Sequence, residues 1–280
     1  MRIKITLSSE KSGLIDFNYQ HQIQALIYGF LSRSDPDYSH WLHEQGYIYR
    51  RDKRFKLFVF SGITFHKPIK AMRSNGFRHP TDLNTLPGLN GFLFNGSQNV
   101  PFTFSFQIAS PVNKFLQHLI DGIFREGNEI TLGYQMVSIS GIEILQDPLN
   151  SISLHPLESP IFIKKPMPPG QRDMYLFPGD EEYEVFLNRN LTRKYEILYN
   201  KSFPGELLKF HFHPVKGKSM KQFTIFKEGF DGNRKYIRIK GTLQPFTVTG
   251  PKELIKIGLE CGFGQNNSMG CGYVEEYKIV

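Results

Sequence analysis

The sequence predicts an α+β protein built from two β/α units in tandem. The chain has 280 residues, and at ~150 residues per domain that length makes two units, each able to bury a core. Its first half carries strand and helix patterns in the order β-α-β-β-α-β, the order of a ferredoxin-like unit. Its second half follows a similar course, with a duplication of pattern and none of residue identity.

Each element rests on its own periodicity. Residues 1–7 alternate basic and apolar side chains, as a strand does, and lack the apolar run of a signal peptide. Over 19–31, Ile23, Leu26, Ile27, Phe30 and Leu31 recur at helical spacing. The Ser-Arg-Ser-Asp-Pro run at 32–36 breaks that helix, and a short helical turn is expected over 39–45 with Trp41 and Leu42 inward. Residues 55–60 read as a strand by composition, with apolar side chains on both faces. The Gly-, Asn- and Pro-rich stretch 62–98 reads as loops with one or two irregular strands. A strictly alternating strand follows at 102–106, then a helix over 111–124 with Pro111 near its first turn, then strand over 128–145. Residues 146–150 make the best linker, dividing the chain into 1–146 and 147–280. Beyond it come strand composition at 151–163, a helix at 181–199, and strands near 207–213, 221–226, 236–239 and 244–248. Pro251 opens a last helix to Cys261, and a glycine-rich loop leads into a final strand at 273–277.

Hydrophobic residues at 40% and charged residues at 21% exclude wholesale disorder. Lys and Arg outnumber Asp and Glu by 34 to 26, and the chain holds 25 Phe and 13 Tyr. A basic chain rich in flat side chains fits nucleic acid as a partner. No stretch approaches the ~18 apolar residues of a membrane span. Two cysteines cannot form a disulfide framework or a four-cysteine zinc site, so a reducing compartment, most simply the cytoplasm, is expected.

The charge divides evenly, with 15 basic and 11 acidic residues before position 147 and 19 and 15 after it. Locally it concentrates. Arg50, Arg51, Lys53, Arg54 and Lys56 face only Asp52, and nine Lys/Arg between 209 and 240 face only Glu228 and Asp231. Within the second group Arg238 and Lys240 share a strand face, with Arg234 upstream. Both groups read either as solvated surface or as a groove that tracks phosphates.

The sharpest motif spans 262–272: Gly262-Phe263-Gly264, then Gln265, Asn266, Asn267, Ser268 and Met269, then Gly270-Cys271-Gly272. Four glycines there permit positive φ and close backbone approach to a ligand. The loop lacks the Lys-Ser/Thr of a phosphate-binding P-loop, and it follows a helix and precedes a strand, the reverse of a dinucleotide fingerprint. It reads as either a tight connection or a phosphate- and base-contacting tip.

This loop resembles the C-terminal signature of the CRISPR-associated endoribonucleases that cut repeat RNA into guide units. Upstream, 18–22 (Asn-Tyr-Gln-His-Gln), 26–28 (Leu-Ile-Tyr), 41–44 (Trp-Leu-His-Glu) and 56–58 (Lys-Leu-Phe) resemble that family's first helix, its catalytic-histidine segment and the strand after it. Cys271 in an apolar slot is a mild departure. The resemblance implies tandem ferredoxin-like (RRM-like) domains with RNA lying along a basic face. It further implies CRISPR repeat RNA and the processed guide RNA as partners, with no cofactor and no membrane. A CRISPR interference complex and a second copy of the chain are further expected partners.

Metal-free RNA cleavage needs a group to move the 2′-hydroxyl proton, one to stabilise the phosphorane and one to protonate the leaving 5′-oxygen. His43 is the expected acid/base, with His40 one turn earlier as its rival. Tyr28 lies off the apolar stripe of its helix and is expected to face the site. Lys56 is expected to neutralise charge, with Lys53 and Arg54 as substitutes and an edge-strand charge as its bland reading. The RNA-binding set is Gly262, Gly264, Gln265, Asn266, Asn267, Ser268, Gly270, Gly272, Arg50, Arg51, Lys53, Arg54, Arg234, Arg238 and Lys240. His211 and His213 share a strand face without a third ligand, so no metal is expected. Two other readings stand beside this one: a non-catalytic relative that only binds repeat RNA, and a metabolic enzyme holding a nucleotide or phosphate on its glycine loop.

Overall fold

The computed structural model describes residues 1–50, 53–72, 91–133, 135–148, 153–171, 173–217, 219–228 and 234–277, with 72, 225–228 and 234–237 described in backbone only. The first half contains β1 (Arg2–Ser9), β2 (Gly13–Asp16), α1 (Gln20–Ser34), α2 (Pro36–Glu44), β3 (Tyr47–Tyr49), β4 (Lys53–Phe55), β5 (Val59–Phe60), β6 (Thr64–Phe65), β7 (Lys70–Met72), β8 (Gly91–Phe94), β9 (Phe102–Ala109), α3 (Asn113–Glu126), β10 (Glu129–Leu132) and β11 (Gln135–Leu145). Its main sheet runs β10-β11-β1-β9-β5, with β6 also on β9. With β5 and β6 as one interrupted strand, the order is fourth, first, third, second, all antiparallel, which is the ferredoxin-like arrangement.

Apolar cross-strand pairs set that register: Ile3 faces Ile108, Ile5 faces Phe106 and Leu7 faces Phe104. Helices α1 and α3 complete the layer, burying Ile23, Ile27, Phe30 and Leu31 from one and Phe115, Leu116, Leu119 and Ile123 from the other. They approach closely because Gly122 faces the Phe30 carbonyl, where a Cβ would sit 1.8 Å from that oxygen.

The second half contains β12 (Ser153–Pro156), β13 (Ile163–Lys165), β14 (Met174–Leu176), α4 (Tyr183–Tyr199), β15 (Lys209–Phe212), β16 (Met220–Glu228), β17 (Arg234–Thr242), β18 (Phe246–Thr249), α5 (Lys252–Cys261) and β19 (Val274–Glu276). The sheet order β15-β18-β12-β19 repeats the ferredoxin-like order once two inserted hairpins, β13–β14 and β16–β17, are set aside. Tandem ferredoxin-like folds are therefore present. Among the described residues no helix is long and apolar enough to cross a membrane.

Three local expectations change. The short turn expected at 39–45 is a helix from Pro36, whose N-cap Asp35 accepts from the Tyr38 amide at 2.9 Å. The strand composition at 151–163 splits into β12 and β13 around an irregular link. The expected strand at 55–60 is broken: β4 ends at Phe55, and Leu57 takes φ +54° before β5 resumes at Val59. The cause lies in packing. Phe58 enters the core of the first half while Leu57 enters that of the second, so consecutive side chains serve two cores.

The cores also meet at the chain's start. Arg2 lies over the Tyr273 ring, 4.5 Å from its centroid, and donates to the Val274 carbonyl. The Tyr273 hydroxyl donates to Gln107 Oε1 at 2.6 Å.

Candidate active site

Helix α1 presents Tyr28 and helix α2 presents His43, and the two rings meet edge-on with centroids 5.0 Å apart. A hydrogen bond from Ser39 Oγ to the Tyr28 carbonyl (3.1 Å) helps fix the crossing of the helices. Behind Tyr28 stands Phe58 at 6.0 Å, one consequence of the kink at Leu57. A cleft of about 260 Å³ opens here, lined by Tyr28, Ser32, Pro36, Ser39, His40 and His43. Both histidines thus reach the cleft, and the Tyr28 ring contact belongs to His43.

Lys56 arrives from beyond the β3–β4 hairpin. Its Nζ donates to the His43 carbonyl at 2.6 Å and to the Leu42 carbonyl, capping the C-terminal end of α2 where carbonyl dipoles favour a cation. It is therefore no strand charge, which corrects the bland reading of that residue. Gly46 makes room for it: at φ +63° a Cβ there would lie 2.6 Å from the Phe55 carbonyl oxygen and 3.3 Å from Lys56 Nζ.

Electrostatics separate the roles. Burial lowers the Lys56 pKa to about 8 against the opposing pull of Glu44. Burial, reinforced by the Glu44 charge, raises the Tyr28 pKa above the ordinary phenol value, so its hydroxyl keeps its proton. His43 Nδ1 lies 2.8 Å from Glu44 Oε1, a contact that holds the Glu44 carboxyl below its usual range. Nε2 is left without a hydrogen-bond partner among the described residues.

A basic surface adjoins this cluster. Arg50 and Arg193 flank the Tyr49 ring, with guanidinium carbons 5.2 and 5.4 Å from its centroid. Burial and the nearby Arg193 and Arg189 lower the Lys53 pKa. Arg54 donates to the Glu44 carbonyl at 2.9 Å. Helix α4 thus brings Arg189 and Arg193 from the second half to the hairpin of the first. Sequence reasoning missed both, because on a helix they read as ordinary solvated charges.

Comparison with known proteins bears on the whole chain. The family model described as CRISPR associated protein Cas6, C-terminal, matches residues 147–276. The model described as CRISPR-associated protein Cas6, N-terminal, matches residues 14–82. The chain belongs to the Cas6 family. Among relatives, the CRISPR-associated endoribonuclease Cas6 1 of Methanocaldococcus jannaschii is 28% identical over 98% of this chain and 92% of its own length. The CRISPR-associated endoribonuclease Cas6 of Pyrococcus furiosus is 26% identical over 98% of this chain and 89% of its own. A solved structure of a CRISPR associated protein Cas6 superposes with a TM-score of 0.67 at 25% identity, covering 99% of both chains.

The remaining residues singled out in this Cas6-family chain fall into distinct environments. In the glycine loop, Gly262, Gly264, Gly270 and Gly272 are buried with φ between +78° and +84°. Protein already occupies the space beside them: a Cβ on Gly272 would lie 1.9 Å from the Phe263 carbonyl oxygen, and one on Gly270 would lie 2.8 Å from the Phe60 ring. Their closeness thus serves the chain's packing on itself. Asn267 is committed inward as well, donating to the Cys271 carbonyl at 2.8 Å and accepting from Lys194 at 2.7 Å. Gln265 donates to the Lys164 carbonyl at 3.0 Å. The side chains of Asn266 and Ser268 are half-exposed and make no hydrogen bond among the described residues.

On the β16–β17 hairpin Arg238 is exposed and Ile239 buried, as strand alternation predicts. Lys240 lies over the Phe177 ring at 5.3 Å. Arg51 and the side chain of Arg234 lie outside the described residues. Lys221, counted with the basic surface from sequence, is internal: its Nζ bonds the Glu158 carbonyl (2.7 Å), Glu158 Oε2 (3.1 Å) and the Tyr19 hydroxyl (3.1 Å). The rings of His211 and His213 are 4.9 Å apart, and His213 Nε2 sits 2.7 Å from Thr247 Oγ1. Among the described residues no three His, Cys, Asp or Glu side chains gather as a metal site.

Proposed function

We propose that this Cas6-family chain is an endoribonuclease that cuts CRISPR repeat RNA into guide units, using the RNA's own 2′-hydroxyl as nucleophile and no metal. The observation that carries this reading is the meeting of Tyr28 from α1 and His43 from α2 at one cleft, with Lys56 bonded to the His43 carbonyl from the segment after β4. His43 exchanges a proton through Nε2 while Glu44 at Nδ1 holds the ring's orientation. Tyr28, kept protonated, donates a hydrogen bond to a phosphate or 2′ oxygen. Lys56, protonated below about pH 8, supplies positive charge beside the phosphorane and also holds the end of the helix that carries His43. Attack of the 2′-oxygen on phosphorus expels the 5′-oxygen, which leaves a 2′,3′-cyclic phosphate and a 5′-hydroxyl.

The RNA runs over Arg50, Arg51, Lys53 and Arg54, joined by Arg189 and Arg193, and continues towards Arg234, Arg238 and Lys240. At the glycine loop the contacts come from Gln265, Asn266 and Ser268, which are half-exposed where the glycines are buried. The two units divide at residues 146 and 147. The guide passes to a CRISPR interference complex.

The test is incubation of cognate repeat RNA in excess EDTA, with product ends resolved by treatment with a phosphatase that cannot remove a cyclic phosphate. Wild type should cleave, and His43→Ala should lose ~10²–10⁴-fold in rate while still binding RNA. Loss of cleavage in EDTA, full activity of His43→Ala, or products ending in a 3′-hydroxyl would each overturn the reading.

A further inference from the structure

Lys194 is only 1% exposed, yet no carboxylate reaches it among the described residues. Its Nζ instead lies among four oxygens of the glycine-loop region: the Gly262 carbonyl at 2.6 Å, Asn267 Oδ1 at 2.7 Å, the Gly264 carbonyl at 3.2 Å and the Cys261 carbonyl at 3.3 Å. Burial works against the charged form of this ammonium. The opposing attraction comes from dipoles. Cys261 ends α5, so its carbonyl belongs to the negative pole of that helix, and the carbonyls of Gly262 and Gly264 turn inward as well. Such an all-oxygen shell is what a monovalent cation takes from backbone carbonyls.

The loop so gathered touches the elements of the cleavage site. Gln24 of α1, one turn before Tyr28, donates to the Ser268 carbonyl at 2.8 Å. Gly262 packs on Val59, and Gly270 packs on Phe60 and Gln20. On the far side, α4 carries Lys194 beside Arg193, which lies one turn beyond Arg189. We propose that Lys194 acts as a tethered cation that clamps the glycine loop, and that this clamp sets the position of α1 with Tyr28 relative to α4 with its RNA-facing arginines. Lys194 meets no reacting atom, so it is a positioning residue. The proposal rests on the RNA-cleavage reading for its effect on rate, and on the oxygen shell alone for the clamp itself. An apolar side chain of equal length leaves four buried oxygens short of a donor.

Lys194→Ala removes the propyl-ammonium end of the side chain and leaves its channel. Single-turnover cleavage of cognate repeat RNA is measured with n-propylammonium chloride or sodium chloride at equal ionic strength, because RNA affinity follows salt. Lys194→Ala should fall at least tenfold below wild type and recover at least fivefold with n-propylammonium. Wild type and His43→Ala should not respond. Lys194→Met, which fills the channel without charge, should fall as far and not recover. The proposal is overturned if Lys194→Met cleaves within twofold of wild type, or if n-propylammonium leaves Lys194→Ala unchanged. Melting temperature is read in parallel: n-propylammonium should raise that of Lys194→Ala and not that of Lys194→Met, and an equal response in both overturns the clamp even where neither variant is active. Failure of wild type to cut repeat RNA sinks the activity reading instead, and leaves the clamp to the melting measurement.

Discussion

Lys56 spends two of its three ammonium protons on the end of a helix before any substrate arrives. Only its charge and one remaining proton are available to RNA, so its catalytic value depends on staying protonated. Its pKa near 8 in the folded protein means that it carries charge below that pH and loses it above. Arginine stays charged throughout. The ratio of wild-type to Lys56→Arg cleavage rates should therefore be flat below pH 7 and fall about tenfold per unit well above pH 8. A ratio independent of pH would mean that the Lys56 charge does not enter the reaction. At this scale the sequence was informative where a residue broke its own pattern. Tyr28 lay off an apolar stripe and Lys56 lay within an apolar run. It was silent where partners are remote: Lys194 looks like any helical lysine until residues 261–267 fold onto it.

Secondary-structure elements were legible where one face is buried. Helices α1 and α3 show clear apolar stripes, and the alternation of β9 marks its buried face. The run at 55–60 departs from the strand that its composition suggests, because Leu57 and Phe58 serve two cores. The glycine loop is legible in the sequence but the atoms packed against its glycines are not, since a sequence shows that close approach is allowed and not what approaches. The structure makes the difference measurable. Gly272→Ala must adopt φ +81° and place a methyl against the Phe263 carbonyl, so a loss of ~3 kcal/mol or more is expected in urea unfolding. Gly29 sits inside α1 with open space, free of atoms to 4 Å, where a methyl would point, so Gly29→Ala should gain ~0.5–1 kcal/mol. Equal effects at the two sites would contradict this account of the loop.

Across the whole molecule, a formal charge of +8 divides evenly between the halves but not over the surface. Some of it is internal, as Lys194 and Lys221 are, and does not reach a polyanion. Arg189 is exposed and Arg193 half-buried, beside Arg50, Lys53 and Tyr49. Replacing both with Gln should lower the salt slope of repeat-RNA binding by about 1–2 units of log K against log salt. A weaker affinity at unchanged slope would place them away from phosphates. Sequence showed the basic run at 50–56, but pairing it with α4 required the fold, because those residues lie more than a hundred positions away.

The left-handed residue at Leu57 has a consequence for how the chain can be divided. A cut at 146/147 respects the order of strands, yet it strips the second core of a side chain that only 3% of its surface shows to water. The N-terminal fragment would in turn carry a leucine stripped of the second-half core it packs into. The halves are therefore two units of architecture but not two independent folding units, and heat should melt them together in one cooperative transition.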